Sequence, residues 1–358
     1  MLSTSSRLRR AAVGLLLAGA VALAACSSDT ADSGPATSTT LGLSTLPVTM
    51  APTTPPSTIA ATTTTEAPKP KYPLTGLEIT DPAIAARPAM VAKIGNYDRH
   101  PQTGLNAADI VFEEIINDHI TRFAAVYHSN TPADLVGPIR SGRRQDVNLL
   151  TSLNHPILAW AGGNAFVTQE IIDSTLINMS MTYCNGACMR VDFDQSPYNL
   201  YFDIAKAWTV APEGGQTPPP QFQYRGADDA LQGTPAVRAE MTLDSYKVAW
   251  TWNAATGLYE REQNKKVDTE RNGEIVTTDN VLVLVMVYKA GLGSPDAQSI
   301  GTGEAYLFTA GTVVHGTWSR ADNVAPFTLT TDAGETMLLS PGRTFIELPR
   351  KQDTITFT

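Results

Sequence analysis

The chain has 358 residues, of which 42% are hydrophobic and 17% charged, and its formal net charge is −9. That apolar content is enough for a folded core. The acidic balance excludes the usual nucleic-acid partner, whose phosphates are gripped by surplus Lys and Arg.

Arg7, Arg9 and Arg10 precede an uncharged run over residues 11–25 that ends Leu23-Ala24-Ala25-Cys26. A positive segment followed by a short apolar stretch is a secretory signal. Its small-small-Cys ending resembles a bacterial lipobox, in which the cysteine thiol receives a diacylglycerol and becomes the new N-terminus. Fifteen residues of helix reach about 22 Å, short of a ~30 Å hydrocarbon core, so a transmembrane anchor is not expected. Losing the three Arg with residues 1–25 takes the net charge from −9 to −12. Such a chain is not held at an anionic surface by charge, so the anchor is covalent, acyl chains (palmitate among them) contributing about 0.8 kcal/mol per buried methylene. The expectation is a signal peptide over 1–25, lipidation at Cys26, and a place on the extracytoplasmic face of the cell membrane. Residues 26–71 read as a disordered tether: between 27 and 70 there are 13 Thr, 6 Ser and 7 Pro and no aromatic side chain to nucleate a core.

From residue 72 the chain alternates apolar segments with turn signals. Strands are expected over 89–94, 108–116, 120–128, 135–139 and 156–161, and helices over 141–150 (with Ser141 as N-cap), 165–176 and 200–208. Beyond a loop-rich stretch, 211–240, the pattern is nearly all β. A hairpin is expected over 246–252 and 257–261, a buried strand over 280–288, and further strands over 304–309, 312–320, 327–330, 336–339 and 344–348. The fold class expected is α+β: an N-terminal α/β-layered domain, 72–225, then a mostly antiparallel β domain, 226–358.

Cys184 and Cys188 flank Asn185-Gly186-Ala187. Outside the cytoplasm such a pair oxidises, and Asn-Gly suits the tight turn that brings the two together. Free thiols and a metal or redox site are the other readings, although the spacing is not C-x-x-C and no His lies nearby.

Phosphate-loop, zinc-protease and serine-hydrolase signatures are missing, and the five His are scattered. No cofactor and no metal site is expected. The densest polar constellation spans 106–144. Asp109, Glu113 and Glu114 lie on one expected strand and Arg122 opens the next. Arg140, Ser141, Arg143 and Arg144 follow where a strand turns into a helix. Arginines at a helix N-terminus oppose its dipole, which favours a bound anion there. The competing reading makes the three acids the internal partners of Arg140 and Arg143.

The same segment carries a resemblance. Pro73-Leu74-Thr75-Gly76, Pro101-Gln102-Thr103-Gly104-Leu105, Ala108-Asp109-Ile110-Val111, Ile120-Thr121-Arg122-Phe123, Gly137-Pro138-Ile139-Arg140-Ser141-Gly142-Arg143, Asn199-Leu200-Tyr201 and Pro341-Gly342-Arg343-Thr344 are similar to the YerB-like family of bacterial envelope lipoproteins. The family pattern places a His before the Asn of Asn199-Leu200-Tyr201, where this chain has Tyr198. The resemblance implies a lipid-anchored envelope protein in two parts and supplies no activity. In outline only, the arrangement is also similar to enzymes that move polyprenyl-linked glycopolymers to the cell wall, gripping a pyrophosphate with arginines and often Mg²⁺. In that outline Asp109, Arg122, Arg140, Arg143 and Arg144 would take those parts. The leading expectation is an envelope lipoprotein binding an anionic cell-wall polymer or an envelope protein through Arg122, Arg140, Ser141, Arg143, Arg144 and Asn199. The glycopolymer phosphotransferase and a structural scaffold are the alternatives.

Overall fold

The computed structural model describes residues 69–358, the side chain at position 118 excepted. Cys26 and the tether up to residue 68 lie outside the described residues. The N-terminal part runs α1 (Pro82–Ala86), β1 (Met90–Gly95), β2 (Ile110–Ile115), β3 (Thr121–Tyr127), α2 (Arg144–Leu150), β4 (Ile157–Trp160), α3 (Ala165–Ile172), β5 (Ile177–Ser180), β6 (Cys188–Arg190), β7 (Leu200–Phe202) and α4 (Ile204–Val210). There follow β8 (Thr234–Pro235), β9 (Arg238–Leu243), β10 (Tyr246–Asn253), β11 (Leu258–Gln263), β12 (Lys266–Val267), β13 (Thr277–Thr278) and β14 (Asn280–Leu284). The last elements are β15 (Tyr288–Ala290), β16 (Pro295–Ala297), β17 (Gly301–Thr309), β18 (Thr312–Arg320), β19 (Thr328–Thr331), β20 (Thr344–Glu347) and β21 (Ile355–Phe357).

The fold is α+β, mixed in its first half and mostly antiparallel in its second. The halves are not successive modules. One eleven-stranded sheet runs β19-β18-β17-β14-β20-β2-β3-β1-β4-β5, with β8 on β18. Its seam is β20, which lies parallel to both β14 and β2 and matches Phe345 with Val111 and Glu347 with Glu113. A smaller sheet, β12-β11-β10-β9-β21 with β13 on β11, covers one face. Strand alternation assigns the residues. Val91, Phe112, Ala124 and Leu158 pack beneath Leu149, Leu150, Val167 and Ile171 of α2 and α3. Ile94, Val111, Phe123 and Ala125 pack against Met241, Val248, Trp250 and Tyr259 of the smaller sheet.

Several expected elements differ. Residues 200–208 are not one helix. Leu200-Tyr201-Phe202 pairs with β6, and Asp203 then caps α4 by accepting from the Lys206 amide at 2.9 Å. Residues 135–139 make isolated bridges to Thr103, Phe202 and Ile94 instead of a ladder, because Pro138 has no N–H to give. Residues 336–339 likewise form only bridges. Helix α2 begins at Arg144 and not after Ser141: its N-cap is Arg143, whose amide donates to Asp146 Oδ2 at 2.6 Å.

Candidate anion-binding site

Parallel strands present their C-terminal ends as a crevice, the usual ligand position in sheets of this kind. Here β1 and β4 are parallel neighbours, and the segment Arg140–Gly142 is laid across their ends. The Arg140 amide donates to Lys93 O at 2.8 Å, the Ala161 amide to Arg140 O at 3.0 Å, and the Gly142 amide to Gly162 O at 3.0 Å. Gly95, the last residue of β1, makes room: a Cβ there would lie 2.6 Å from Arg140 Cγ. Arg122 is the register partner of Gly95 on β3. Thus a glycine at a strand end and two chain segments far apart in sequence bring Arg122, Arg140, Ser141 and Arg143 together.

These guanidinium groups are held by carbonyls and an amide oxygen. Arg122, only 4% exposed, donates from Nη1 to Ser141 O at 2.9 Å. Arg140 donates to Pro197 O at 2.8 Å and lies over the Tyr198 ring, 4.8 Å from its centroid. Arg143 donates to Gly142 O at 2.9 Å and to Asn117 Oδ1 at 2.8 Å. The Nε atoms of all three are buried with no hydrogen-bond partner among the described residues. Burial, then the charges of Arg143 and Arg140, push the Arg122 pKa down to about 10. Burial also lowers that of Arg143, against the pull of Asp146 and Glu114. Among the described residues none of the three is ion-paired to a carboxylate.

The acids expected as their partners are engaged elsewhere. Glu114 bonds Lys93 at 2.6 Å and Gln145 at 2.8 Å, and Lys93 also bonds Asp146 at 2.7 Å; Lys93, Glu114 and Asp146 are fully buried. Burial, then the Asp146 charge, raises the Glu114 pKa to about 7. Glu113 faces the other side of the sheet and bonds Arg261 at 2.6 Å, Thr121 at 2.6 Å and Asn96 at 3.1 Å. Asp109 precedes the opposite end of β2, about 17 Å from Glu114 at ~3.4 Å per residue. It accepts from the His128 and Ser129 amides and the Ser129 hydroxyl at 2.6–2.7 Å. It therefore does not join the arginines, and the glycopolymer-transferase outline loses the acid it requires beside them.

Two further expectations change. Arg144 points outward to Glu170 at 3.3 Å, and Asn199 is taken by Arg190 at 2.6 Å on the β6–β7 arm. The α2 N-terminus is capped by its own Asp146, so the arginine cluster and not that helix end defines the site. Composition and spacing do not mark Tyr97, Tyr198 and His100 as site residues, although Tyr198 is the departure from the family His. Tyr198 stacks on His100 with centroids 4.0 Å apart and meets Tyr97 edge-on at 4.8 Å. Asp194 secures that wall through His100 Nδ1 at 3.0 Å, Tyr201 Oη at 3.1 Å and Arg271. Beside the cluster lies a polar groove of about 350 Å³, lined by Asn117, Ser141, Arg143, Gly163, Asn164 and Gly293. Another groove, of about 250 Å³, runs over the smaller sheet. Its Arg238 is already matched by Glu240 at 2.8 Å and Glu262 at 2.9 Å, and Lys247 and Lys265 also line it.

Cys184 and Cys188 form a disulfide with Cα atoms 5.7 Å apart. The turn between them has φ of +47° at Asn185 and +79° at Gly186, the two left-handed positions that Asn-Gly tolerates. No helix among the described residues is long and apolar enough to cross a membrane.

Residues 74–217 match the N-terminal domain, and 237–346 the C-terminal domain, of a protein family of unknown function, DUF3048. The chain is 27% identical over 292 residues to a protein of Bacillus subtilis (strain 168) named "Putative lipoprotein YerB", covering 78% of this chain and 86% of that one. The crystal structure of YerB protein from Bacillus subtilis superposes with a TM-score of 0.68 at 24% identity, covering 80% of this chain and all of that one; this likeness bears on the fold alone.

Proposed function

Because this chain belongs to the DUF3048 family, in which the Bacillus relative is named as a lipoprotein, we propose that it is an envelope lipoprotein, anchored through Cys26 on the extracytoplasmic face, that binds an anionic cell-wall ligand at the crevice of β1 and β4. The observation that carries this reading is the set of three adjacent arginines, Arg122, Arg140 and Arg143, without a carboxylate partner among the described residues. Burying cations without a counter-ion is costly, and an anion supplied by a ligand offsets that cost. Lys93 and Arg261 are by contrast matched by carboxylates.

The test is co-sedimentation of the full chain with purified wall fragments at low salt. Wild type binds. Arg140→Ala, which removes a cation bonded only to Pro197 O and stacked on Tyr198, loses binding at an unchanged melting temperature. Equal binding by Arg140→Ala, or none by wild type, would overturn the reading. Cys26→Ala releases the protein from the membrane or leaves it unprocessed; a lipid-labelled, membrane-bound Cys26→Ala protein would sink the anchor.

A further inference from the structure

Resting on that reading, we infer that the anionic ligand is a glycan, and that an uncharged sugar ring of it sits in a second pocket, beside the arginines and between the two family domains. The loop 96–102 that follows β1 stands between crevice and pocket. On one side Tyr97 and His100 meet Tyr198, over which Arg140 lies. On the other, Asn96 and Gln102 of the first domain and Gln263 and Asp268 of the second line a polar cavity of about 130 Å³. Tyr97 lines it too, so pocket and crevice share a residue. Clefts between domains are a usual place for small ligands. The amide walls are fixed in advance. Asn96 Nδ2 donates to Gln263 Oε1 at 2.7 Å and Thr121 Oγ1 at 2.8 Å, and Gln263 Nε2 donates back to Asn96 Oδ1 at 3.1 Å and to Asp98 Oδ1 at 2.8 Å. Side chains held this way lose little freedom when a ligand arrives.

The observation that points to a ligand is Gln102, only 3% exposed. Its Nε2 donates to the Gly95 carbonyl at 3.1 Å, which settles which end of the amide is the donor. Its Oε1 accepts no hydrogen bond among the described residues, although a side chain so deeply buried ordinarily uses both ends. Two more acceptors stand open on the same cavity. Asp98 and Asp268 each commit one carboxylate oxygen, to Gln263 and Arg261, and leave the other without a side-chain partner among the described residues. Open amide and carboxylate oxygens call for O–H donors, and a sugar ring carries several on one stiff frame. The two carboxylates turn a phosphate or uronate away, toward the arginines. A metal ion is not what they suit: among the described residues no three His, Cys, Asp or Glu are placed to hold one, and Lys266 lines the cavity beside them. A peptide's apolar side chain would find only Pro101 and Val267 for company.

Saturation-transfer NMR of the full chain with three uncharged sugars, N,N′-diacetylchitobiose, maltose and galactose, tests this, with glycerol as the control polyol. At least one sugar receives saturation from the wild type where glycerol does not, and its affinity is the same at low and high salt, as an uncharged ligand requires. Asp98→Ala removes an acceptor from an exposed loop position while Gln263 keeps its bond to Asn96, so affinity for that sugar falls at least fivefold at an unchanged melting temperature. Gln102→Met, similar in length and without an acceptor, weakens it as much. Arg140→Ala leaves it unchanged. Transfer to none of the three sugars, or to glycerol equally, would overturn the sugar pocket, and so would wild-type affinity in both Asp98→Ala and Gln102→Met. Any of these failures, alongside wall-fragment binding that Arg140→Ala abolishes, would leave the anion site of the preceding section standing.

Discussion

Glu114 and Arg122 stand directly opposite each other on β2 and β3, with side chains on the same face of the sheet, and they do not pair. Glu114 is taken by Lys93 and Gln145, while Arg122 reaches Ser141 O. An acid and a base in register would ordinarily attract. Here a lysine on β1 and an acid on α2 close a separate buried network, and the arginine is left for something else. That division makes the crevice electropositive in an acidic protein.

Gly95 is the smallest test of the crevice. Gly95→Ala would place a methyl 2.6 Å from Arg140 Cγ. The obstructing Cγ lies close to a backbone that is itself bonded to Lys93 O, so the side chain must turn about its first bond and Arg140 swings away from Tyr198. The expected result is at least tenfold weaker binding of wall fragments, with a melting temperature within a few degrees of wild type. An unaltered affinity would show that the position of Arg140 does not matter.

The Lys93 network carries a pH signature. The folded-state pKa of Glu114, about 7, lies above its ordinary value of 4.5. The native state therefore holds this proton more tightly than the unfolded chain does, and its contribution to stability is lost as pH rises from about 4.5 through 7. Glu114→Gln keeps an acceptor for Lys93 and has no proton to lose. Melting curves at pH 5 and pH 8 should show the wild type falling relative to this variant by several degrees at the higher pH; parallel pH dependence in the two proteins would contradict the raised pKa.

On the other face, Arg261 is fully buried, bonding Glu113 at 2.6 Å and also Asp268. Glu347, in register with Glu113, donates no counter-charge; burial, then the Glu113 charge, raises its pKa well above the usual carboxylate range. Arg261→Met strands Glu113 and should cost about 3–5 kcal/mol, read as a lower denaturant midpoint. Adding Glu113→Gln should restore part of that loss, since the stranded charge is removed with it.

For the disulfide, intact mass should rise by two hydrogens on reduction. Replacing Cys184 and Cys188 with Ser should cost about 2 kcal/mol, the entropy of closing so short a loop. Alkylation of both thiols in the exported protein without reductant would contradict the bond.

Local chemistry made much of this protein legible from its residues in order. The Asn185-Gly186 turn needs only two left-handed positions, the β10–β11 hairpin only alternation and a turn, and the three clustered arginines are visible as letters. The adjacent acids Glu113 and Glu114 show where that legibility stops. Strand alternation sends them to opposite faces, but whether each meets a lysine, an arginine or a ligand depends on β1, α2 and β11, up to 148 residues away in sequence. The same holds for β20, whose insertion beside β2 joins two domains that read as consecutive, and for Asp109, close to Arg122 in sequence yet at the far end of the hairpin. Sequence spacing determines which face a side chain takes; which charges are satisfied on that face is set by long-range packing, and only that packing left Arg122, Arg140 and Arg143 without an acid among the described residues.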